Sequence, residues 1–311
     1  MKTVLPQGNS HIDMSIINKC AKDPERFVES CERDYASQVC SAVNEIIYTG
    51  AKVVMLAGPS SSGKTTTAHK LSKCFGERGI KAPVVSLDDF FLGRSHYKRL
   101  PNGQLDMESI NTLDLDLINE IFPKLVHEGE ADFPIFDFET SARKEEVNHM
   151  VLGPNDVLIV EGLHALNPLL TRTLTAGEVY KVYVSTRTVF TYKGEEVLTP
   201  KDNRLIRRMV RDHNFRSRAP KKTLDDWPNV LAGEEENIYI FRDEADFKID
   251  SSLNYEGCIF HHYILPIVKE LKSDPTYGGK IRHIVEILEA FDDIDFSHIP
   301  NDSLLREFIG K

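Results

Sequence analysis

The chain has 311 residues, a length that suits one large α/β domain with appendages or two modest domains. Hydrophobic residues make up 41% of the sequence and charged residues 28%, which is typical of a globular protein. The formal net charge of −10 argues against a general nucleic-acid-binding protein, which usually carries an excess of basic residues, so we expect no nucleic-acid partner.

The cysteines indicate a reducing compartment. There are five, an odd number, and none lies in a CxxC pair, so the pattern favours neither a disulfide framework nor a zinc site. The first residues lack the apolar segment of a signal peptide, and no apolar run approaches the ~20 residues of a membrane span. We therefore expect a cytoplasmic protein with no membrane partner. The sequence leaves the oligomeric state open, with a homo-oligomer as one alternative.

Residues 23–47 have the pattern of an amphipathic helix, with Asp23 as its N-cap and Pro24 at its first position. Its apolar residues recur at steps of three and four: Phe27, Cys31, Tyr35, Val39, Val43 and Ile46. Residues 1–22 show no strong pattern. We therefore predict an N-terminal helical extension over residues 1–50.

Short β-branched runs follow at residues 53–56, 84–87, 157–160 and 179–184. They are apolar through most of their length, as strands of a parallel sheet covered on both faces are. Helical segments, among them 65–78 and 112–127, separate these runs. This alternation predicts an α/β fold of the doubly wound type, with a mostly parallel sheet and helices on both faces.

Further patterns fill the rest of the chain. A weaker run at 247–253 predicts a strand that closes the sheet, and residues 133–152 predict a small β-hairpin insertion. Residues 255–309 have the pattern of helices broken around 274–279.

The segment GPSSSGKT at residues 58–65 matches the phosphate-binding motif G-x-x-x-x-G-K-[ST] in full, between a predicted strand and a predicted helix. Gly58 and Gly63 permit a tight loop whose backbone N–H groups face phosphates. Lys64 supplies positive charge to the phosphates, and the hydroxyl of Thr65 can ligate Mg²⁺. The sequence therefore predicts a P-loop NTPase fold that uses ATP and Mg²⁺. The predicted nucleotide-binding residues here are Gly58, Pro59, Ser60, Ser61, Ser62, Gly63, Lys64, Thr65 and Thr66.

P-loops also serve GTPases, transporters and motors. The chain has neither a guanine-reading NKxD motif after the loop nor an LSGGQ-like transporter motif. The small-molecule kinases remain, provided that an acceptor site and a lid are present. A nucleotide-dependent switch or regulatory ATPase without an acceptor is the alternative from another class.

The strand at 84–87 is followed by two acids, Asp88 and Asp89. Ligands gather at the carboxyl ends of strands in an open α/β sheet, so one of these carboxylates is expected near the γ-phosphate. A kinase needs a carboxylate there to take the proton of the acceptor hydroxyl or to hold that hydroxyl in line. The alternative is a helix N-cap, a common position for aspartate.

The strand at 157–160 also ends in an acid, Glu161, as a Walker-B-like element does. Its carboxylate could hold a water bound to Mg²⁺. The alternative is a strand-end acid that faces solvent. We interpret His164, three residues further on, as structural rather than catalytic.

Residues 203–220 contain six arginines and no lysine: Arg204, Arg207, Arg208, Arg211, Arg216 and Arg218. The first four fall on one helical face, and the other two follow in a predicted loop. Planar guanidinium groups favour multidentate phosphate binding, so the segment predicts an Arg-rich lid that closes over the transferring phosphates. The alternative is a solvated helix face.

Aromatic and acidic residues between these motifs are candidates for the acceptor site, because flat rings suit a base and a carboxylate can bind paired sugar hydroxyls. They are Phe91, Asp106, Phe136 and Phe138. Taken singly, each of these residues is more often found in a hydrophobic core or on a surface than in contact with a ligand.

Together these motifs resemble the uridine kinase/phosphoribulokinase family over roughly residues 50–272. The resemblance rests on GPSSSGKT, SLDDFF, FDFETSARKEE, VLIVEGLHAL and the arginine run. It is greatest to the bacterial-type branch of uridine kinases, which shares the strings WPNVLAGEEENIYIF and IPNDSLLREFI.

The resemblance implies a role for each matching position. The implied catalytic residues are Asp88, Lys64 and Arg211. The implied metal-binding residues are Thr65, Asp88 and Glu161. Arg211 and Arg216 join the nucleotide site. The implied substrate-binding residues are Asp88, Phe91, Asp106, Phe136, Phe138, Arg143, Arg208 and Arg218. Among these, Asp106 matches the acid that binds the ribose diol, and Phe136 and Phe138 match the base pocket.

The sequence therefore predicts ATP-dependent phosphorylation of a small-molecule hydroxyl, with the 5′-hydroxyl of uridine or cytidine as the acceptor. Ser141 stands where the family has a pocket histidine, so a kinase for another sugar, polyol or sugar phosphate is the alternative among enzymes. We expect a P-loop kinase domain over residues 51–272 and a C-terminal helical tail, residues 273–311, that packs on it.

Overall fold

The computed structural model describes residues 10–99, 103, 105, 106 and 108–310. Its strands are β1 (Ser10–Asp13), β2 (Val53–Ala57), β3 (Val84–Ser86), β4 (Glu130–Asp137), β5 (Ala142–Val151), β6 (Leu158–Glu161), β7 (Val179–Ser185), β8 (Thr188–Tyr192), β9 (Glu195–Leu198) and β10 (Phe247–Asp250). Its α-helices are α1 (Met14–Ala21), α2 (Pro24–Thr49), α3 (Lys64–Gly76), α4 (Leu115–Glu128), α5 (Pro200–Arg216), α6 (Pro220–Glu234), α7 (Glu256–Val268), α8 (Gly278–Glu289) and α9 (Arg306–Ile309).

A five-stranded parallel sheet lies at the centre of the fold, in the order β10-β7-β2-β6-β3. Every residue of the middle strand, β2, is buried. Successive side chains point to opposite faces, so Val54 and Leu56 join one hydrophobic cluster while Val53 and Met55 join another. The strands of this sheet lie within the runs from which strands were predicted, except that β2, β6 and β7 each end one residue later. The doubly wound α/β fold is confirmed.

Helices cover both faces of the sheet. The cluster around Val54 includes residues of α1, α2, α3, α5, α7 and α8, whereas the cluster around Val53 includes α4 and the strand β4. Apolar side chains therefore cover both faces of the sheet. In such a sheet, polar site residues are expected at the carboxyl ends of the strands, where the loops leave the sheet.

Helix α2 agrees with its prediction. Asp23 caps it through a hydrogen bond from a first-turn N–H group, and Gly50 ends it in the left-handed conformation. It packs on α3, where the hydroxyl oxygens of Tyr35 and Thr67 lie 2.7 Å apart. The preceding strand β1, which no sequence pattern predicted, pairs in parallel with β8. Residues 1–9 of the predicted extension lie outside the described residues.

The predicted hairpin is also present, as the antiparallel pair β4 and β5. Arg143 in β5 donates hydrogen bonds of 2.9 Å to the carboxylate of Asp114 and to the carbonyl of Phe90. The carboxylate of Asp89 accepts a hydrogen bond of 3.2 Å from the N–H of Phe136. These contacts fix the hairpin beside the carboxyl end of β3.

The C-terminal part consists of α7 and α8 on either side of the predicted break, after which the chain returns towards α5. Leu304, Leu305 and Phe308 are fully buried there, and the ring of Phe308 lies 5.1 Å from the guanidinium carbon of Arg207. The end of the chain is thus part of the core beneath the phosphate loop. Across the described residues, no helix combines the length and the apolar character of a membrane span.

Candidate active site

The loop between β2 and α3 is tight enough that two of its positions accept only glycine. A Cβ at Gly58 would lie 2.1 Å from the carbonyl oxygen of Val184, and one at Gly63 would lie 2.5 Å from the side chain of Leu304. Gly63 also has a φ of 82°, in the left-handed region that favours glycine. The loop ends at the N-terminus of α3, where unpaired N–H groups and the helix dipole favour bound anions.

A cleft of about 390 Å³ opens beside this loop. Side chains from the phosphate loop, the ends of β3 and β6, α5 and the C-terminal tail line it. The predicted site residues that it brings together are Ser60, Ser61, Gly63, Lys64, Thr65, Asp88, Phe91, Glu161, Arg208, Arg211 and Arg216.

Lys64 supplies a positive charge to this cleft. Its ammonium group donates a hydrogen bond of 3.2 Å to the carbonyl of Pro59. Burial lowers the pKa of Lys64, and the nearby carboxylates of Glu161 and Glu307 raise it in part. Lys64 is half-buried, so its ammonium group is already partly desolvated before a phosphate binds.

Thr65 and Glu161 form a pair of oxygen ligands. The hydroxyl of Thr65 donates a hydrogen bond of 3.3 Å to the carboxylate of Glu161. Glu161 is buried, so it is not the solvent-facing acid of the alternative interpretation. Burial raises its pKa, and the positive charge of Lys64 opposes that shift. A hydroxyl and a carboxylate beside a phosphate loop fit the preference of Mg²⁺ for hard oxygen ligands.

The two acids after β3 have different environments. Asp88 lines the cleft, whereas Asp89 holds the hairpin through Phe136. Burial raises the pKa of Asp88, and the charge of Lys64 lowers it in part. The side chain remains accessible from the cleft, and a carboxylate with a raised pKa is a better proton acceptor, so Asp88 has the environment of a general base.

Two of the predicted helix-face arginines brace the site from within the core. Arg204 pairs with Glu234 at 2.6 Å and Arg207 with Glu256 at 2.5 Å, and all four side chains are buried. Each guanidinium group also donates to a carbonyl of the phosphate loop, at 2.9 and 3.3 Å. The helical spacing correctly predicted that both arginines lie on the face of α5 towards the phosphate loop. Acids from α6 and α7, however, cover their guanidinium groups.

The next arginines reach the cleft around one buried acid, Asp212. Its carboxylate lies 2.7 Å from Arg211, 3.5 Å from Arg208 and 3.7 Å from Arg216. Arg208 also donates a hydrogen bond of 2.6 Å to the hydroxyl of Ser60. Arg216 is 57% exposed at the end of α5. Since buried ion pairs anchor the body of α5, the predicted lid can involve only this exposed end and the residues beyond it.

Arg143 and Arg218 do not line the cleft, contrary to the positional match. Arg143 pairs with Asp114 and anchors the hairpin, and Arg218 pairs with Asp226. In this structure, each guanidinium group is thus paired with a carboxylate of the protein itself.

The aromatic candidates form a row that begins in the cleft. The ring centroid of Phe91 lies 5.6 Å from that of Phe136, which lies 5.3 Å from that of Phe138. Phe138, 63% exposed, ends the row at the turn of the hairpin. Ser141 occupies the same turn, where its φ of 55° is left-handed.

Asp106 does not line the cleft. Its N–H donates a hydrogen bond of 2.8 Å to the carbonyl of Lys98, and its carboxylate accepts one of 3.3 Å from the N–H of Glu108. It therefore holds the shape of the segment that carries Glu108 into the cleft.

Glu108 and His164 line the cleft but were not predicted as ligands. A Cβ at Gly233 in α6 would lie 2.8 Å from the Cβ of Glu108, so this glycine makes room for the acid. Burial raises the pKa of Glu108 and Arg208 lowers it in part. Burial lowers the pKa of His164 to about 4, so the imidazole is neutral at pH 7. Glu108 lies two residues after Asp106 in the sequence, and this position could have indicated that Glu108 is also a candidate for the site.

Glu234 and Glu307 complete the surroundings of the phosphate loop. Glu234 accepts a hydrogen bond of 2.8 Å from the N–H of Ser60, and Glu307 lines the cleft from the C-terminal tail. Glu234 lies in the string WPNVLAGEEENIYIF and Glu307 in IPNDSLLREFI, both of which carry the family resemblance, but neither string indicates that its acid reaches the phosphate loop.

Comparisons with known proteins found a matching family model and several related sequences. Residues 53–187 match the model of the Phosphoribulokinase / Uridine kinase family. A uridine kinase from Geobacillus sp. (strain WCH70) is 30% identical over 179 residues, which cover 58% of this chain and 75% of the relative. A uridine kinase from Clostridium tetani is 26% identical over 179 residues, with 58% and 76% coverage.

Among solved structures, a possible uridine kinase from Bacillus stearothermophilus aligns with a TM-score of 0.45 and 21% identity, covering 70% of this chain and 98% of that one. Kinases of the matched family use a nucleotide to phosphorylate a small molecule, which sets aside the switch without an acceptor. The chain is therefore a small-molecule kinase with a P-loop NTPase fold, and it belongs to the phosphoribulokinase/uridine kinase family.

Proposed function

We propose that this protein transfers the γ-phosphoryl group of Mg²⁺–ATP to the 5′-hydroxyl of uridine or cytidine. The observation that carries the proposal is the convergence of Lys64, Asp88 and Glu161 in one cleft beside a phosphate loop. Phosphoryl transfer needs a cation for the phosphates, an acid for the acceptor and an oxygen ligand for the metal, and these three residues meet those needs.

The phosphates of the nucleotide lie, in this proposal, along residues 58–66 and the N-terminus of α3. Lys64 neutralises their terminal oxygens. Arg208, Arg211 and Arg216 face the same cleft and stabilise the charge that spreads over the transferring group. The ion pairs of Arg204 and Arg207 keep the loop in place, so its donors need no reorganisation during the reaction.

Thr65 and Glu161 would hold Mg²⁺, with Asp88 nearby on the acceptor side. When bound, the ion would supply positive charge that neutralises the nucleotide phosphates. The small number of protein oxygens fits Mg²⁺, which usually keeps several waters and takes its other ligands from the substrate phosphates.

Asp88 receives the proton of the acceptor hydroxyl. As that oxygen forms its bond to the γ-phosphorus, the bond between phosphorus and the bridging oxygen breaks and ADP leaves. The burial that raises the pKa of Asp88 makes the carboxylate a stronger base in this step.

The acceptor side favours a neutral molecule with a flat ring. Phe91 and the row behind it offer aromatic faces for a base, and Asp106, which contacts the N–H of the cleft residue Glu108, is the acid that we assign to the ribose diol. The carboxylates of Asp88 and Glu108 would repel the phosphate of a sugar phosphate. A neutral sugar or polyol is the second candidate, since Ser141 replaces the family's pocket histidine.

An acceptor panel with ADP release as the readout tests the proposal. Nucleosides, free sugars, polyols, sugar phosphates and pantothenate should be compared at saturating Mg²⁺–ATP. We expect the highest kcat/KM for uridine or cytidine and the lowest for the sugar phosphates. A preference for a sugar phosphate would refute the assignment of a nucleoside as the acceptor. It would also refute the claim that the carboxylates of the cleft repel a phosphorylated acceptor.

All five cysteines are free in the structure. This agrees with the reducing cytoplasm, where we propose that the reaction takes place.

A further inference from the structure

The last part of the C-terminal tail, residues 299–310, brings a carboxylate to the phosphate loop. Glu307 accepts a hydrogen bond of 2.6 Å from the hydroxyl of Thr66 and one of 3.4 Å from its backbone N–H. The tail is packed rather than loosely attached, because Leu304, Leu305 and Phe308 are fully buried on either side of Glu307 in the sequence. The carboxylate is therefore held at this position.

These hydrogen bonds serve the N-terminus of α3, which lacks a cap of its own. Gly63 is the N-cap residue and has no side chain with which to accept from the first-turn N–H groups. Glu307 supplies that acceptor, and its charge interacts favourably with the helix dipole. The same N–H groups are the ones that a P-loop offers to nucleotide phosphates. A phosphate and the Glu307 carboxylate therefore need the same donors.

The charges around Thr66 make joint occupancy unfavourable. Glu307 lines the cleft together with Glu161, and the negative charge of each raises the pKa of Lys64. Nucleotide phosphates would bring several more negative charges to this place. Like charges a few ångströms apart in a partly desolvated site repel strongly, so one anion should displace the other.

We propose that Glu307 is a built-in competitor of the nucleotide phosphates and thereby sets the affinity of this kinase for its nucleotide. Nucleotide binding moves the carboxylate away from Thr66 and loosens the packing of the tail. The inference rests on the phosphate-loop half of the proposed function and does not depend on which molecule accepts the phosphoryl group.

Calorimetric titration with the non-hydrolysable imido analogue of ATP and Mg²⁺, without acceptor, tests this proposal. Glu307→Gln removes the charge with little change in shape, and Glu307→Ala removes the acceptor as well. Asp302→Asn is the matched control, because Asp302 lies in the same tail and pairs with Lys73 outside the cleft. We expect the Kd to fall about tenfold in the Glu307 variants, the scale of one lost charged hydrogen bond, and to stay unchanged in the control.

Unchanged or weaker nucleotide binding in both Glu307 variants, with the thermal midpoint preserved, would overturn the proposal. Hydrogen exchange provides a second measurement on the wild-type protein. Saturating analogue should speed exchange at residues 303–310, whereas slower or unchanged exchange would contradict the proposed loosening of the tail. An absence of nucleotide binding in both the wild type and Glu307→Ala would refute the phosphate-loop assignment itself, whereas failure to find an acceptor would leave this result intact.

Discussion

Glu234 accepts two hydrogen bonds from the guanidinium group of Arg204, at 2.6 and 2.8 Å, with both side chains buried. The same carboxylate accepts from the N–H of Ser60, and the same guanidinium donates to its carbonyl. The ring of Trp227 lies 5.3 Å from the guanidinium carbon. The pair thus connects α5 and α6 to the phosphate loop, and the loop's shape depends on it.

Glu234→Gln should therefore destabilise the protein strongly. The substitution leaves the Arg204 charge buried without its counter-charge, which typically costs about 3–5 kcal/mol. Urea unfolding monitored by Trp227 fluorescence measures the loss of free energy. The control is the neighbouring Glu235→Gln, whose partner Lys201 is exposed, and it should cost less than about 1 kcal/mol. Equal losses of unfolding free energy in the two variants would mean that the Arg204–Glu234 pair contributes no more to stability than an exposed ion pair.

Asp88→Asn should separate chemistry from binding. The amide keeps the size of the side chain but cannot take a proton, so kcat should fall ~10²-fold or more while the Kd for nucleotide changes little. Asp89→Asn is the matched control: it removes a charge one residue away, from a side chain that holds the hairpin. Steady-state kinetics and nucleotide titration on both variants measure the difference. A larger loss of kcat in Asp89→Asn would reverse the assignment.

The acid side of the pH–rate profile should report a raised pKa. Burial holds the pKa of Asp88 above its ordinary value of 3.8, with Lys64 opposing the shift. The base acts in its ionised form, so kcat/KM is full above that pKa and is lost as the pH falls through it. The midpoint should thus lie higher than for an exposed aspartate. If the same limb persists unchanged in Asp88→Asn, it belongs to another group such as Glu161, whose pKa burial also raises.

Discrimination between uridine and 2′-deoxyuridine tests the role of Asp106. If the carboxylate binds the ribose diol, loss of one hydroxyl removes a hydrogen bond to a charged group, worth roughly 1.5–3 kcal/mol. The wild type should then prefer uridine by about tenfold to a hundredfold or more in kcat/KM. Asp106→Ala should erase most of that preference and lower activity on uridine. The same preference in both proteins would restrict Asp106 to the local backbone contact that the structure shows.

The central sheet and the phosphate loop were predictable because their signals are local. Apolar runs of strand length and the complete GPSSSGKT motif lie within short segments, and burial on both faces leaves few alternatives for them. Asp88 and Glu161 were predictable for a related reason: in a parallel sheet, the residues that follow neighbouring strands meet at one edge.

In the arginine segment, residues 203–220, the sequence pattern did not predict which arginines reach the cleft. Helical spacing placed Arg204 and Arg208 on one face but could not distinguish them, because Arg204 is buried by Glu234 while Arg208 lines the cleft. The partner acids come from later helices. Glu307 is a stronger example: it lies 241 residues from Thr66 in the sequence, and no periodicity relates the two.

The central claim is that this cleft phosphorylates the 5′-hydroxyl of a pyrimidine ribonucleoside. The most direct measurement is product analysis by mass spectrometry and ³¹P NMR after incubation with Mg²⁺–ATP and uridine or cytidine, for the wild type and for Asp88→Asn. We predict a nucleoside monophosphate with phosphorus coupled to the 5′-carbon protons, formed at least ~10²-fold more slowly by the variant. No phosphorylated nucleoside from the wild type, under conditions in which it phosphorylates another sugar or polyol, would contradict the account.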